Sequence, residues 1–427
     1  MQNVLRASAL AAAVLLSSAA QASGDLDIFG FMSVGVGVLD DDVVTIEGFE
    51  GDGNFKQDTL LALQISKQVN DKTSATGQLV SRGTDDFKTE AAWAFVSYDT
   101  TENTSFRMGR LRIPFFHYSE FLEVGYAYNW VRLPSDVYAI PFSSFDGADL
   151  TQRFSIGNLD TSVQINYGRL NDELNIFGEN YQSDLRNIAG LSLNSTYGNW
   201  GFRIAGQRAE MTLDTVTDEA FGALVTSFAT AQFAHDSNPT DSTLENLENA
   251  SQALTDAQEN SDLRRIDQAQ SAASSLISLL SLITPDYSVE EKDFSFDDHT
   301  ADFYNAAVMY DNGDYSFVTE FTAIEYESGL LVDNRAWLAS VAKRIGNTTT
   351  HLTYSTSRDI LNRGHSGELQ ELLNLQGEDK SVTLGLRYDY DVNTALKIEA
   401  QYHDEIENRG VEGDHAMLYS FAVDVIF

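Results

Sequence analysis

Met417-Leu418-Tyr419-Ser420-Phe421-Ala422-Val423-Asp424-Val425-Ile426-Phe427 closes the chain. Its period is two. Met417, Tyr419, Phe421, Val423, Val425 and Phe427 fall on one face, and the smaller or more polar Ala416, Leu418, Ser420, Ala422, Asp424 and Ile426 fall on the other. Successive side chains of a strand point to opposite faces, so this segment predicts a strand with one strongly apolar side. What that side meets depends on the rest of the chain.

The other end carries an export signal. Arg6 precedes an apolar run from Ala7 to Leu16, followed by small residues up to Ala20-Gln21-Ala22. A short basic region, an apolar core and an A-x-A site describe a secretory signal peptide, with cleavage expected after Ala22 and a mature chain over 23–427. The apolar core is too short for a bilayer, which needs roughly 20 residues in a helix. The most apolar later helical stretch, Ser274 to Ile283, is also too short, so a membrane span has to be built of strands.

Composition agrees. The 427 residues contain no cysteine, which excludes thiol catalysis and thiolate metal sites. A formal charge of −37 argues against nucleic acid as a partner, because phosphates need Lys and Arg. With 43% hydrophobic residues the chain is too apolar to be disordered.

Alternating segments occur at about 26–38, 57–68, 73–82, 89–99, 103–112, 148–157, 160–169, 186–197, 200–210, 301–311, 314–327, 334–345, 348–358, 380–391, 395–406 and 414–427. That is an even set of sixteen. Val382, Leu384, Leu386, Tyr388 and Tyr390 alternate with Ser381, Thr383, Gly385, Arg387 and Asp389, and Leu396, Ile398, Ala400 and Tyr402 with Lys397, Glu399, Gln401 and His403. Short turns rich in Asn, Asp and Gly, such as Gly157-Asn158, Gly198-Asn199 and Gly346-Asn347, alternate with longer links. Short turns at one end and long loops at the other are the pattern of an outer-membrane barrel. Tyr197, Trp200, Tyr310, Tyr315, Tyr388, Tyr390 and Phe427 sit beside the short turns, where an aromatic girdle would meet the headgroups.

The signal peptide, strand number, long third loop and terminal phenylalanine together resemble the sixteen-stranded porins of Gram-negative outer membranes, over the whole mature chain. The expected fold class is therefore all-β: a transmembrane antiparallel barrel. The resemblance implies a homotrimer of water-filled barrels set in lipid and lipopolysaccharide, a third loop folded inward, and passive diffusion of small hydrophilic solutes. No enzyme activity and no cofactor are expected.

The third loop, about 35 residues after Arg110, carries Phe115, Phe116, Tyr118, Phe121, Tyr126, Tyr128, Trp130, Tyr138, Phe142 and Phe145. So apolar a loop has to pack against something, and the lumen offers the surface. Its charges, Arg110, Arg112, Glu120, Glu123, Arg132, Asp136 and Asp146, are the candidate pore constriction. Arg82, Arg107, Arg153 and Arg387 share parity with small polar residues and are the candidate pore wall. Acidic loop groups facing a basic wall would set up a transverse field in a narrow gap. The acidic total points to cations, but the wall arginines point to anionic or zwitterionic solutes, which is the expectation adopted.

Between 211 and 300 the alternation stops. Residues 212–300 hold 17 Asp plus Glu against 3 Lys plus Arg. Ser242-Thr243-Leu244-Glu245 is a capping box, and Ile266, Ala269, Ala273, Leu276, Leu280 and Ile283 make a helical stripe. This predicts an acidic helical insert in the fifth extracellular loop, able to cap the pore, dip into it, or shield an interface. It also supports an alternative, a surface-exposed binding or adhesion barrel. With Asp40-Asp41-Asp42 its carboxylates are candidates for divalent cations, although no spacing defines a metal loop and no metal ligand is assigned.

No G-x-S-x-G elbow, H-E-x-x-H helix or phosphate-binding glycine loop occurs, and the seven histidines are scattered. The first strand is expected within a few residues of the mature terminus, which leaves no room for the plug domain of an energy-coupled receptor.

Overall fold

The computed structural model describes residues 26–40, 46–140, 142–176, 179–214, 299–327, 331–363, 376–408, 411–412 and 415–427, together with Asn249, Gly367 and Gln370. The expected signal peptide, nearly all of the acidic insert, Asp41 and Asp42 lie outside the described residues.

Sixteen strands form one closed antiparallel sheet. They are β1 (Asp27–Leu39), β2 (Leu60–Asn70), β3 (Thr73–Arg82), β4 (Thr89–Thr101), β5 (Thr104–Arg112), β6 (Ser144–Ile156), β7 (Leu159–Ile176), β8 (Glu179–Tyr197), β9 (Trp200–Asp214), β10 (His299–Asp311), β11 (Tyr315–Tyr326), β12 (Asp333–Ile345), β13 (Thr348–Ile360), β14 (Gly377–Asp389), β15 (Thr394–Asn408) and β16 (His415–Ile426). The two-residue segment Val411–Glu412 only extends the end of β15. Each strand pairs with its sequence neighbours, and β1 pairs with β16 from Phe31↔Ile426 to Leu39↔Leu418. Closure leaves no sheet edge, so every strand can satisfy its backbone inside the barrel wall.

The alternation read from the sequence sets the two faces. Exposed Val34, Leu63, Ile165, Phe202, Leu352 and Ile398 stand on the outside. Ser33, Gln78, Asn305, Thr353, Ser381 and Gln401 are turned inward and buried. On β16 the face of Tyr419 and Phe421 is the outer one, and Leu418, Ser420 and Asp424 point in. Tyr197, Trp200, Tyr315, Tyr388, Tyr390 and Phe427 are all exposed at the short-turn end. Trp200 packs on Tyr310 with ring centroids 4.8 Å apart.

Phe427 prolongs the β1–β16 ladder by two bonds with Gly30, at 2.7 and 2.9 Å. Its ring lies over that glycine, and a Cβ on residue 30 would come within 2.4 Å of it.

β7 and β8 exceed the expectation most. They run on past the expected ends to Ile176 and Glu179, pairing through Asn171↔Asp184 and Asn175↔Asn180. In the sequence Leu170, Leu174 and Ile176 keep the alternation there, but the Asn, Asp and Glu between them weaken the strand signal, although backbone pairing continues. β6 likewise begins at Ser144 rather than 148.

Candidate functional site

β5 ends where Pro114, which has no N–H for the ladder, follows Ile113. From there the third loop, L3, enters the barrel and returns to β6 at Ser144. It holds three single turns, Ser119–Phe121, Gly125–Ala127 and Ser135–Tyr138. Among its described residues from Ile113 to Ile140, Ala139 alone is exposed.

Aromatic packing places one side of the loop. Phe115 and Phe116 meet Phe303 of β10 at 4.8 and 5.3 Å, in an apolar cluster with Leu111, Phe145, Leu185, Ile188 and Leu338. A second cluster sets Val124 and Tyr126 against Phe31, Ala62, Val80 and Trp93, on β1 to β4. The Tyr126 hydroxyl donates to the carbonyl of Val392, in the short turn between β14 and β15, at 3.0 Å. The loop thus runs down the lumen to its short-turn end. There Gly125 fits so tightly that a Cβ would stand 2.3 Å from Asp424 Oδ1 and 2.7 Å from Ser33 Oγ.

The remaining contacts are polar, and most bind the L3 backbone. Lys397 Nζ donates to the carbonyls of Gly125 and Trp130, 2.6 Å each, and pairs with Asp424 at 2.7 Å. Arg387 Nη1 donates to the carbonyls of Tyr126 and Tyr128 at 2.7 and 2.8 Å. The Val131 N–H donates to Glu399 at 2.9 Å, and the His117 N–H to Glu320 at 2.7 Å. Arg203 Nη2 donates to the carbonyl of Pro114 at 2.5 Å, and Trp130 Nε1 to Thr353 at 2.8 Å. Buried polar groups of an irregular loop are costly without partners, and here the wall supplies them.

The charges on L3 are met the same way. Glu120 pairs with Arg107 at 3.3 Å, and Arg107 also with Asp149 at 2.5 Å. Glu123 pairs with Arg112 at 2.8 Å and also with Arg82. Arg132 pairs with Asp58 at 2.6 Å and Glu47 at 3.5 Å, both before β2, and lies over the Phe49 ring. Asp136 accepts from Ser355 at 2.5 Å and Ser381 at 2.7 Å.

Local fields follow from this packing. Burial alone would raise the Glu123 carboxyl, but the guanidiniums of Arg112 and Arg82 outweigh it and hold the group below its ordinary value. At Asp58 burial wins over Arg132, and the carboxyl is raised. Burial, helped by the charge of Arg203, pulls the His117 imidazole down to about 4.

These positions revise the expected constriction. Glu120, Glu123, Arg132 and Asp136 are brought into the lumen, as are Arg82, Arg107 and Arg387 on the wall. Arg112, the last residue of β5, is buried between Trp93 and Glu123. Arg110 and Asp146 are not at the constriction. β5 runs through Arg110 and β6 through Asp146, and alternation puts Arg110 beside Met108 on the outer face, paired to Asp146 at 3.0 Å. There they border an outward concavity with Tyr167, Arg169 and Glu210. Arg153 has inward parity but lies exposed near the short turn, away from L3.

Acidic loop groups do not face a basic wall across a gap. They touch it, and on the far side Arg132 touches acids. Sequence reasoning misses Lys397, Glu399, Glu320, Arg203 and Asp424. Their inward parity is legible, but a charge that binds a distant loop backbone leaves no pattern of its own. Among the described residues no group of three His, Asp or Glu could hold a metal ion.

No family model matches the chain. No curated protein matches it either. Solved structures do. Salmonella typhi OmpF is 11% identical with a TM-score of 0.55, covering 95% of this chain and 98% of that one. An anion-selective porin from Comamonas acidovorans is 10% identical with a TM-score of 0.52, over 95% and 100%. A trimer form of OmpT, an outer membrane protein of Vibrio cholerae, is 12% identical with a TM-score of 0.51, over 95% and 100%. The chain therefore has the fold of the sixteen-stranded outer-membrane porins.

Proposed function

We propose that this chain is an outer-membrane diffusion channel for small hydrophilic solutes. The observation that carries the reading is a closed barrel, apolar outside and polar inside, with its third loop seated in the lumen. Zwitterionic solutes fit the site better than strongly anionic ones. Arg82, Arg107, Arg132 and Lys397 at the L3 level are each compensated by an acid, so the wall there offers paired charges rather than a net positive ring. The reading involves no cofactor and no enzymatic step. It places the mature chain, after removal of residues 1–22, in lipid and lipopolysaccharide as a homotrimer, which the OmpT trimer form supports by analogy of fold.

Single-channel recording in planar bilayers under a salt gradient tests this. Ohmic steps with a modest reversal potential are expected. Folded protein that never conducts would overturn the reading.

A second reading, a surface-binding barrel using the acidic segment 211–300, draws on the tight seating of L3. Deleting 215–298 separates the two: a channel keeps or raises its conductance, whereas a binding barrel loses its partner.

A further inference from the structure

Resting on the channel reading, we infer that the first loop, L1, is a second inward loop that sets the position of L3 beside the solute path, with Glu47 and Asp58 as its positioning residues. Between β1 and β2 the described residues are Asp40 and 46–59. The foundation of L1 is an incomplete strand pairing. β2 starts at Leu60, opposite Ser33, so from Val34 to Leu39 β1 has β16 on one side and no β2 on the other. L1 covers that edge. Gly37 and Asn54 exchange two backbone bonds at 3.1 and 3.0 Å, and the Leu39 N–H donates to the carbonyl of Glu50 at 3.0 Å. Unpaired backbone groups along a strand edge are costly, so the need to cover this one fixes the loop.

From this edge L1 turns into the barrel. Phe49 is fully buried over Gly37, where a Cβ would stand 2.4 Å from its ring, and it packs with Leu39, Ala416 and Leu418. The backbones of Ile46 and Phe49 pair around Glu47 and Gly48, whose φ angles are 52° and 77°. Two successive positive φ values belong to a tight hairpin turn. Glycine takes such a value freely, but a glutamate does so at a conformational cost. Here the strained residue presents its carboxylate to L3. Glu47 accepts from the Ser135 hydroxyl and pairs with Arg132 at 3.5 Å, and His403 of β15 stands 3.8 Å from it.

Arg132 is where the two loops join. Its Nε and Nη2 donate to Asp58 at 2.9 and 2.6 Å, a two-bond arrangement that fixes orientation as well as distance. Nη2 also donates to Ser420 of β16 at 2.8 Å, and the guanidinium lies over the Phe49 ring at 4.6 Å. L1 thus gives two carboxylates and an aromatic face to one residue of L3, on the arm that returns toward β6. The wall bonds of Val131 and Asp136 flank Arg132 in the chain, so this arm answers to L1 as well as to β13–β16. Released from L1, the arm shifts on that wall, and the room left for solutes beside L3 changes with it.

The chain has no cysteine, so a single introduced thiol reports on one place. Thr383 is buried on β14 between Ser381 and Arg387, both of which hold L3, and serves as the reporter for the return arm. Thr322, buried on β11, is the control. In the folded full chain, Glu47→Gln with Asp58→Asn should quicken the reaction of Thr383→Cys with a hydrophilic methanethiosulfonate about tenfold and leave that of Thr322→Cys unchanged, because a local opening exposes only what it covered. Arg132→Gln should do the same, and adding it to the pair should bring no further change, as for residues that act through one contact. The single-channel step of the Glu47 and Asp58 pair variant in planar bilayers should differ from the native step. An unchanged rate at Thr383, or an equal rise at Thr322, overturns the positioning role and leaves the channel reading standing. A native step with a quickened Thr383 overturns the link to the solute path. Silence of the native chain overturns the channel reading, while the two thiol rates still decide whether L1 holds L3.

Discussion

Lys397 and Asp424, on the neighbouring strands β15 and β16, form an ion pair at 2.7 Å with side chains 0% and 1% exposed. The same ammonium holds two carbonyls of L3. One lysine therefore joins the last two strands of the barrel to the loop that fills it. A buried cation with this many partners is a device for fixing geometry more than a source of net stability.

Replacing Lys397 with Met should leave Asp424 buried and unpaired and free the carbonyls of Gly125 and Trp130. Removal of one partner of a buried pair costs about 3–5 kcal/mol. A lowered thermal transition in detergent is expected, recovered in part by the double variant Lys397→Met with Asp424→Asn. An unchanged transition in the single variant would contradict the role assigned to this pair.

Acid should loosen L3 through Glu123. Its carboxyl is held below the ordinary value of 4.5 by Arg112 and Arg82, and Arg82 is also paired with Glu90. A depressed folded-state value means the anchor is fully present above pH 4.5 and is lost as pH falls below it. Proteolytic cutting within L3 should rise as pH drops from 4.5, measured with an acid-active protease. Glu123→Gln should cut readily at neutral pH and show little further change below 4.5.

Charge on the outer face should not reach the solute path. Arg110→Gln and Asp146→Asn should leave the reversal potential in a salt gradient unchanged, since both side chains lie outside the barrel. Arg153→Glu, inward and exposed, should shift the reversal potential toward cations. A shift caused by the Arg110 variant and absent from the Arg153 variant would reverse the assignment of faces.

Barrel closure should depend on the fit of Phe427 over Gly30. Gly30→Val places methyl groups where the ring now lies, and overpacking of this kind costs roughly 1–3 kcal/mol. A reduced thermal transition is expected, relieved when Phe427→Ala is added. Failure of the second change to restore stability would separate the two residues.

Much of the fold is legible in the residues themselves. The Tyr419–Phe421 face, the Leu384–Leu386 face and the turns at Gly157 and Gly198 each follow from local rules of period and turn chemistry. The ends of β7 and β8 are less legible, because the apolar alternation of Leu170, Leu174 and Ile176 is interrupted by Asn, Asp and Glu that read as turn residues. Arg110 falls within the expected strand 103–112 and shares parity with Met108, so its outward position was legible, and counting it among the loop charges set that parity aside. The L3 aromatics announce a buried loop, and Glu123 and Arg132 are recognisable as its charges. Their partners, Arg82 and Asp58, lie 41 and 74 residues away and are not.

By itself the sequence determined the barrel, because strand alternation and turn chemistry are local and a bilayer admits only a closed sheet for such strands. Only the tertiary structure decided what fills that barrel. Lys397, Arg387 and Glu399 grip backbone atoms of a loop some 260 residues earlier, and a backbone carbonyl is the same in every residue type, so no side-chain pattern records which one will be held.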